Sequence, residues 1–260
     1  MTTIFPFLFP SSFFLPSLFP SLSFLLFLSG NHDVLAGDSG IECGDVYIHR
    51  FRMPYQNESS TDFSCKTSYN VVMWYSLMVG PVWLHSFSTE HTYAVGTPQR
   101  AWIEADLAAA VAAREAGKIS WIIVQMHYPS YCSHTYNGGG GCVTDAPIMR
   151  AELEGLWRNA GVDAVLFGHI HAAEVTWPVY NATPTAFNWN QPTAPTHFLI
   201  GMAGAGYLGP WQKTQPVWSA WRDQVYGFTR FHIEGRKRLD FFFYSYENAA
   251  EPAWNMSILK

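Results

Sequence analysis

Ile119 to Met126 (ISWIIVQM), which stops at His127, and Val162 to Phe167 (VDAVLF), which runs straight into Gly168-His169-Ile170-His171, decide the fold. Both are nearly continuous apolar runs rich in β-branched residues, the pattern of strands covered on both faces. An amphipathic helix is predicted before each. Thr97 and Pro98 make a helix start, Ile103, Leu107, Ala110, Val111 and Arg114 recur at helical spacing, and Gly117 supplies a stop. A second helix follows Asp145 and Pro147, with Met149, Leu153, Leu156, Trp157 and Ala160 on one face and Gly161 closing it. Helix, strand, helix, strand predicts a layered α/β arrangement. In such sheets the residues just beyond the carboxyl ends of strands line the ligand crevice, which is where His127, His169 and His171 fall. Phe228 to Glu234 and Arg238 to Tyr246, flanking Gly235-Arg236-Lys237, read as a β-hairpin.

At 260 residues and 48% hydrophobic content the chain can bury one sizeable core. The formal net charge is −5 and the fifteen Lys and Arg are scattered, so no basic stripe exists to hold a nucleic-acid backbone. Cys43, Cys65, Cys132 and Cys142 lack zinc-ribbon spacing. Cys132 and Cys142 flank a glycine-rich loop that a disulfide would staple in an oxidising compartment, with two free thiols as the alternative. Asn57, Asn181 and Asn255 each begin an Asn-x-Ser/Thr sequon, which fits secretion.

Residues 1–29 differ in kind from the rest. From Phe5 to Ser29 the chain uses only Phe, Leu, Pro and Ser. Leu22 to Leu28 could form the apolar core of a secretory signal, but no Lys or Arg precedes it and Pro6, Pro10, Pro16 and Pro20 interrupt any helix. The unbroken apolar run falls well short of the roughly 20 residues that span a bilayer. Because all four residue types have pyrimidine-only codons, a translated intron tail is the other open reading.

Three motifs stand in order: Gly30-Asn31-His32-Asp33, Val124-Gln125-Met126-His127 and Gly168-His169-Ile170-His171. With Trp74-Tyr75-Ser76, Ser88-Thr89-Glu90, Tyr131-Cys132-Ser133 and Trp218-Ser219-Ala220-Trp221-Arg222, they carry a resemblance that runs from Gly30 to the C-terminus. The chain resembles the purple acid phosphatases, within the calcineurin-like metallophosphoesterases, whose later signature blocks are GNH[DE], VxxH and GHxH.

That resemblance implies an α/β fold, a partial metallophosphatase α/β/β/α sandwich lacking its N-terminal strands and amino-terminal β-domain. Residues 30–185 would be the partial metallophosphoesterase domain and residues 186–260 the family's C-terminal region. It implies a secreted, vacuolar or lysosomal hydrolase of small phosphate monoesters, working through water activated at a binuclear centre of Fe(III) with Zn(II), Mn(II) or Fe(II). Asn31, His127 and His169 would ligate the divalent metal and His171 the ferric ion. His32 would be the catalytic acid near the substrate, Asp33 an orienting carboxylate, and His134 a second phosphate-contacting histidine.

The family's earlier Asp-x-Gly and Gly-Asp-x-x-Tyr blocks have no counterpart, since no Asp, Tyr or Gly precedes Gly30. The expectation is therefore a C-terminal fragment with an incomplete site, holding at most one divalent metal. The rival expectations are a phosphodiesterase or nucleotide pyrophosphatase of the same superfamily, and a non-catalytic remnant or gene-model fragment.

Overall fold

A computed structural model describes residues 4–5, 26–27, 30–31 and 74–260. The first two pieces pair as short antiparallel strands, β1 (Ile4–Phe5) and β2 (Leu26–Phe27). His32, Asp33, Cys43, Cys65 and Asn57 lie outside the described residues.

From Tyr75 onward the order is β3 (Tyr75–Val79), β4 (Val82–Ser86), α1 (Pro98–Glu115), β5 (Trp121–Gln125), α2 (Asp145–Asn159), β6 (Ala164–Phe167) and β7 (Ala173–Thr176). A small ribbon of β8 (Val179–Tyr180) and β9 (Thr183–Pro184) leads to β10 (Thr196–Ile200) and β11 (Ser219–Asp223). Last come β12 (Gly227–Glu234), β13 (Arg238–Ser245) and β14 (Trp254–Leu259).

Both predicted helices form, and their ends follow local chemistry. The Thr97 side chain caps α1 by accepting from the Arg100 N–H, Pro98 opens it, and Gly117 takes φ +69° just past its end. Gly161 plays the same part after α2 at φ +63°. The second predicted strand starts at Ala164 instead of Val162. Just before it, the Asp163 N–H donates to the Ile122 carbonyl at 2.9 Å and the Asp163 carboxylate accepts the Ile122 N–H at 2.9 Å, so the side chain joins the backbone in tying the strand start to its neighbour.

Seven strands make one mixed sheet in the order β11-β7-β10-β6-β5-β4-β3, with β4, β5, β6 and β10 parallel at its centre. Side chains alternate across it with period two. Ile122, Val124, Val165, Phe167 and Leu199 face α1 and α2, against Ile103, Leu107, Met149, Leu153 and Trp157. Trp121, Ile123, Leu166, Phe198 and Ile200 face the other way, onto a three-stranded antiparallel sheet, β12-β13-β14, through Phe231, Phe241, Phe243 and Ile258. The described residues thus form helix, sheet and sheet layers, and the predicted hairpin supplies two of the three strands of the third. Covering on both faces explains why β5 and β6 read as continuous apolar runs.

Candidate metal centre

His127 and His169 follow β5 and β6 at their carboxyl ends, and the backbone locks the two loops together. The Gly168 N–H donates to the His127 carbonyl at 3.1 Å and the Met126 N–H to the Leu166 carbonyl at 3.0 Å. His169 takes φ +63°, a left-handed conformation uncommon for a non-glycine residue and enriched at functional turns. Gly201, at the end of β10, lies against this turn so closely that a Cβ there would sit 2.0 Å from the Ile170 oxygen. The third contributor arrives from far upstream. Gly30 passes directly over the His127 ring, where a Cβ would lie 2.8 Å from Cε1, and delivers Asn31 to the imidazoles.

The result is a triangle of Lewis-base atoms. Asn31 Oδ1 is 2.8 Å from His127 Nε2 and 3.2 Å from His169 Nδ1, and the two nitrogens are 3.2 Å apart. Bonds of about 2.0–2.2 Å in a tetrahedral zinc site separate neighbouring donor atoms by about 3.3 Å or slightly more. The observed triangle is marginally tighter and of the same shape. Its tautomers also suit a cation: His169 Nε2 donates to the Gly139 carbonyl at 2.7 Å, so Nδ1 is the unprotonated nitrogen that faces Asn31 and His127. His127 and His169 are both buried, and Tyr128 and Tyr136 close edge-on around His169 at centroid distances of 4.7 and 5.7 Å. The residues present therefore fit one divalent cation.

Residues 11–173 match the calcineurin-like phosphoesterase family and residues 194–250 match the iron/zinc purple acid phosphatase-like protein C family. The chain belongs to the calcineurin-like phosphoesterases. It is 33% identical to human (Homo sapiens) acid phosphatase type 7 over 207 residues, covering 72% of this chain and 43% of that protein. With the probable inactive purple acid phosphatase 1 of Arabidopsis thaliana it shares 32% identity over 197 residues, 74% of this chain and 29% of the other. The solved purple acid phosphatase PPD1 of yellow lupin (Lupinus luteus) superposes with a TM-score of 0.75 at 25% identity, covering 89% of this chain and 40% of that one. The chain thus spans less than half the length of these relatives.

Among the described residues of this calcineurin-like phosphoesterase, no group of three or more His, Cys, Asp and Glu is placed to hold a metal ion. The triangle itself is two imidazoles and an amide. His171 takes a different partner: its Nδ1 donates to the Gly206 carbonyl, which makes Nε2 its unprotonated nitrogen. His134 is fully buried, with Nδ1 accepting the Tyr136 N–H at 3.1 Å and Nε2 donating to the Gly209 carbonyl at 2.7 Å. Burial holds its pKa below the usual imidazole range, and a phosphate contact would require exchanging one of those backbone bonds. Cys132 and Cys142 are joined, with Cα atoms 5.3 Å apart.

Motif reading did not single out Tyr128, Tyr136 or Gly139, and it quoted Glu90 only as part of Ser88-Thr89-Glu90. The Tyr128 hydroxyl donates to Glu90 at 3.0 Å, and burial with that carboxylate pushes its pKa far up, so it stays a phenol. Its position immediately after His127 was the available signal. Gly139 lies within a run of four glycines, and nothing in the run distinguishes which carbonyl will be used.

Proposed function

We propose that this chain carries the divalent-metal half of a phosphomonoesterase centre and that its substrates are small phosphate monoesters. The Asn31, His127 and His169 triangle is the observation that carries the reading, together with family membership. In it, the Asn31 amide oxygen, His127 Nε2 and His169 Nδ1 would hold one Zn²⁺ or Mn²⁺. Such a cation supplies Lewis acidity, neutralising phosphate charge and lowering the pKa of bound water.

Neutral ligands leave that positive charge undiminished for the phosphate. The aromatic edges of Tyr128 and Tyr136 pack against the His169 ring and shield that side of it from water. His32, adjacent to Asn31 in sequence, is proposed to protonate the leaving alkoxide, and His134 to lie against the phosphate. His171, held by Gly206, is proposed as the ligand of a ferric ion whose remaining ligands the described residues do not supply. The Cys132–Cys142 disulfide supports a secreted or vacuolar location, and Asn181 and Asn255 as glycosylation sites there.

A second reading is favoured by the single triangle: a metal-binding chain without turnover. Hydrolysis of p-nitrophenyl phosphate at acidic pH, with Zn²⁺ or Mn²⁺ added, separates the two. The phosphatase reading predicts turnover that His127→Ala abolishes. Metal uptake without hydrolysis would leave the binder.

A further inference from the structure

The glycine-rich segment between Cys132 and Cys142 meets the triangle through the Tyr136 ring and the Gly139 carbonyl, both against His169, and is fixed in place around it. At its start, the buried Glu174 carboxylate on β7 accepts from the Ser133 N–H at 2.7 Å and the Ser133 hydroxyl at 2.6 Å. The Ser219 hydroxyl on β11 donates to the same carboxylate at 2.5 Å, so the loop is tied to two strands of the large sheet. At its end, the Gly141 N–H donates to the Asp145 carboxylate in the first turn of α2 at 2.9 Å. The disulfide joins the two ends. In between, Gly140 at φ +75° packs flat on Tyr128, where a Cβ would lie 2.4 Å from Cδ1. The loop is therefore a closed, anchored ring, and its inward carbonyl meets the His169 Nε2–H at 2.7 Å.

We infer that the disulfide-closed loop Cys132–Cys142 is the positioning element of the metal site, with the Gly139 carbonyl fixing the tautomer and ring orientation of His169. An imidazole alternates between two tautomers unless one nitrogen is held, and only the Nε2–H form presents a Nδ1 lone pair to Asn31 and His127. A side-chain acceptor could do this through its own rotamers. A backbone carbonyl does it only if the loop cannot drift, which the disulfide and the Glu174 and Asp145 anchors ensure. The inference rests on the triangle being a metal site, and it names the residues that tune that site without touching the cation. Outer partners of this kind typically alter metal affinity by about ten- to a hundred-fold.

The test compares the full chain with Cys132→Ser/Cys142→Ser, which opens the ring, and with Gly140→Ala, which pushes the loop off Tyr128 and keeps the disulfide. Two quantities are read. One is Zn²⁺ affinity, by competition with a chromophoric chelator. The other is the ¹⁵N pattern of the His169 ring in metal-free protein, which reports which nitrogen carries the proton. Expected are a single Nε2–H tautomer in the parent, a mixture in both variants, and Zn²⁺ binding weaker by about ten- to a hundred-fold. Unchanged tautomer and affinity within twofold in folded Gly140→Ala would overturn the inference, even if the serine variant fails to fold. A parent chain that takes up no Zn²⁺ overturns the metal reading itself. The metal-free ¹⁵N measurement still decides whether the loop controls His169.

Discussion

The Asn31 amide oxygen lies 2.8 Å from His127 Nε2, across 96 residues of sequence. The approach requires a glycine before Asn31, because any side chain there would collide with the imidazole it serves. Gly30→Ala is expected to displace Asn31 and weaken Zn²⁺ binding by at least tenfold, while a change at the solvent-exposed Phe187 leaves binding unaltered. Equal affinity in Gly30→Ala would show that Asn31 is not held in this way.

His197 makes acid stability measurable at one residue. It is fully buried beside Tyr131, Trp157 and Phe167, with Nδ1 2.8 Å from the Ser130 hydroxyl. Burial first, and the nearby Arg150 second, hold its pKa down to about 3. The unfolded chain titrates near 6.5, so below that pH the unfolded state binds the extra proton. The stability contributed by this group is complete above pH 6.5 and is lost progressively as pH falls toward 3. At pH 4.5 the loss is on the order of 3 kcal/mol. Urea unfolding at pH 7 and pH 4.5 should show the parent losing about that much more than His197→Phe. Identical pH dependence would show that His197 charges freely within the fold.

Asp163 predicts a second stability effect. Its buried carboxylate accepts from Arg114 and Lys260 at 2.7 Å each and from the Ile122 N–H at 2.9 Å, so Lys260, just past β14, is tied to the start of β6. Lys260→Met removes the charged hydrogen bonds to Asp163 and to the Ser120 carbonyl and the ammonium over the Trp121 ring, and leaves Arg114 as counter-charge. The expected cost is about 1.5 kcal/mol, the low end for such bonds because Lys260 is partly exposed. An unchanged urea midpoint would mean that Arg114 and the Ile122 N–H satisfy the carboxylate without Lys260.

Packing between the two sheets gives a third. Phe198 sits at the centre, its ring 4.8 Å from Phe241 and 5.4 Å from Phe231. Phe198→Ala should cost about 3–5 kcal/mol. Phe228, 40% exposed on the outer side of the smaller sheet, should tolerate Ala with a change within about 0.5 kcal/mol. Similar losses at both positions would contradict the layered arrangement.

What the sequence made legible follows from where information is local. The apolar runs ending at His127 and His169 reveal both strands, because a strand buried on both faces has no polar register to hide. Thr97, Pro98, Gly117 and Gly161 mark helix ends through their own backbone chemistry. Asn31, His127 and His169 were readable through motif order and family resemblance, and the structure brings those three together. The Gly139 carbonyl was not readable, since every residue has one and only loop geometry selects it. Nor was the tie of the Asp163 carboxylate to the Ile122 N–H, which depends on a neighbouring strand 41 residues away.

The most direct test of the account is the zinc stoichiometry of the purified chain. Equilibrium dialysis followed by elemental analysis should find one Zn²⁺ per chain in the parent and almost none in Asn31→Ala, His127→Ala or His169→Ala. A parent that binds no Zn²⁺, or an Asn31→Ala chain that binds it as tightly as the parent, would contradict the claim that these three residues form a cation site.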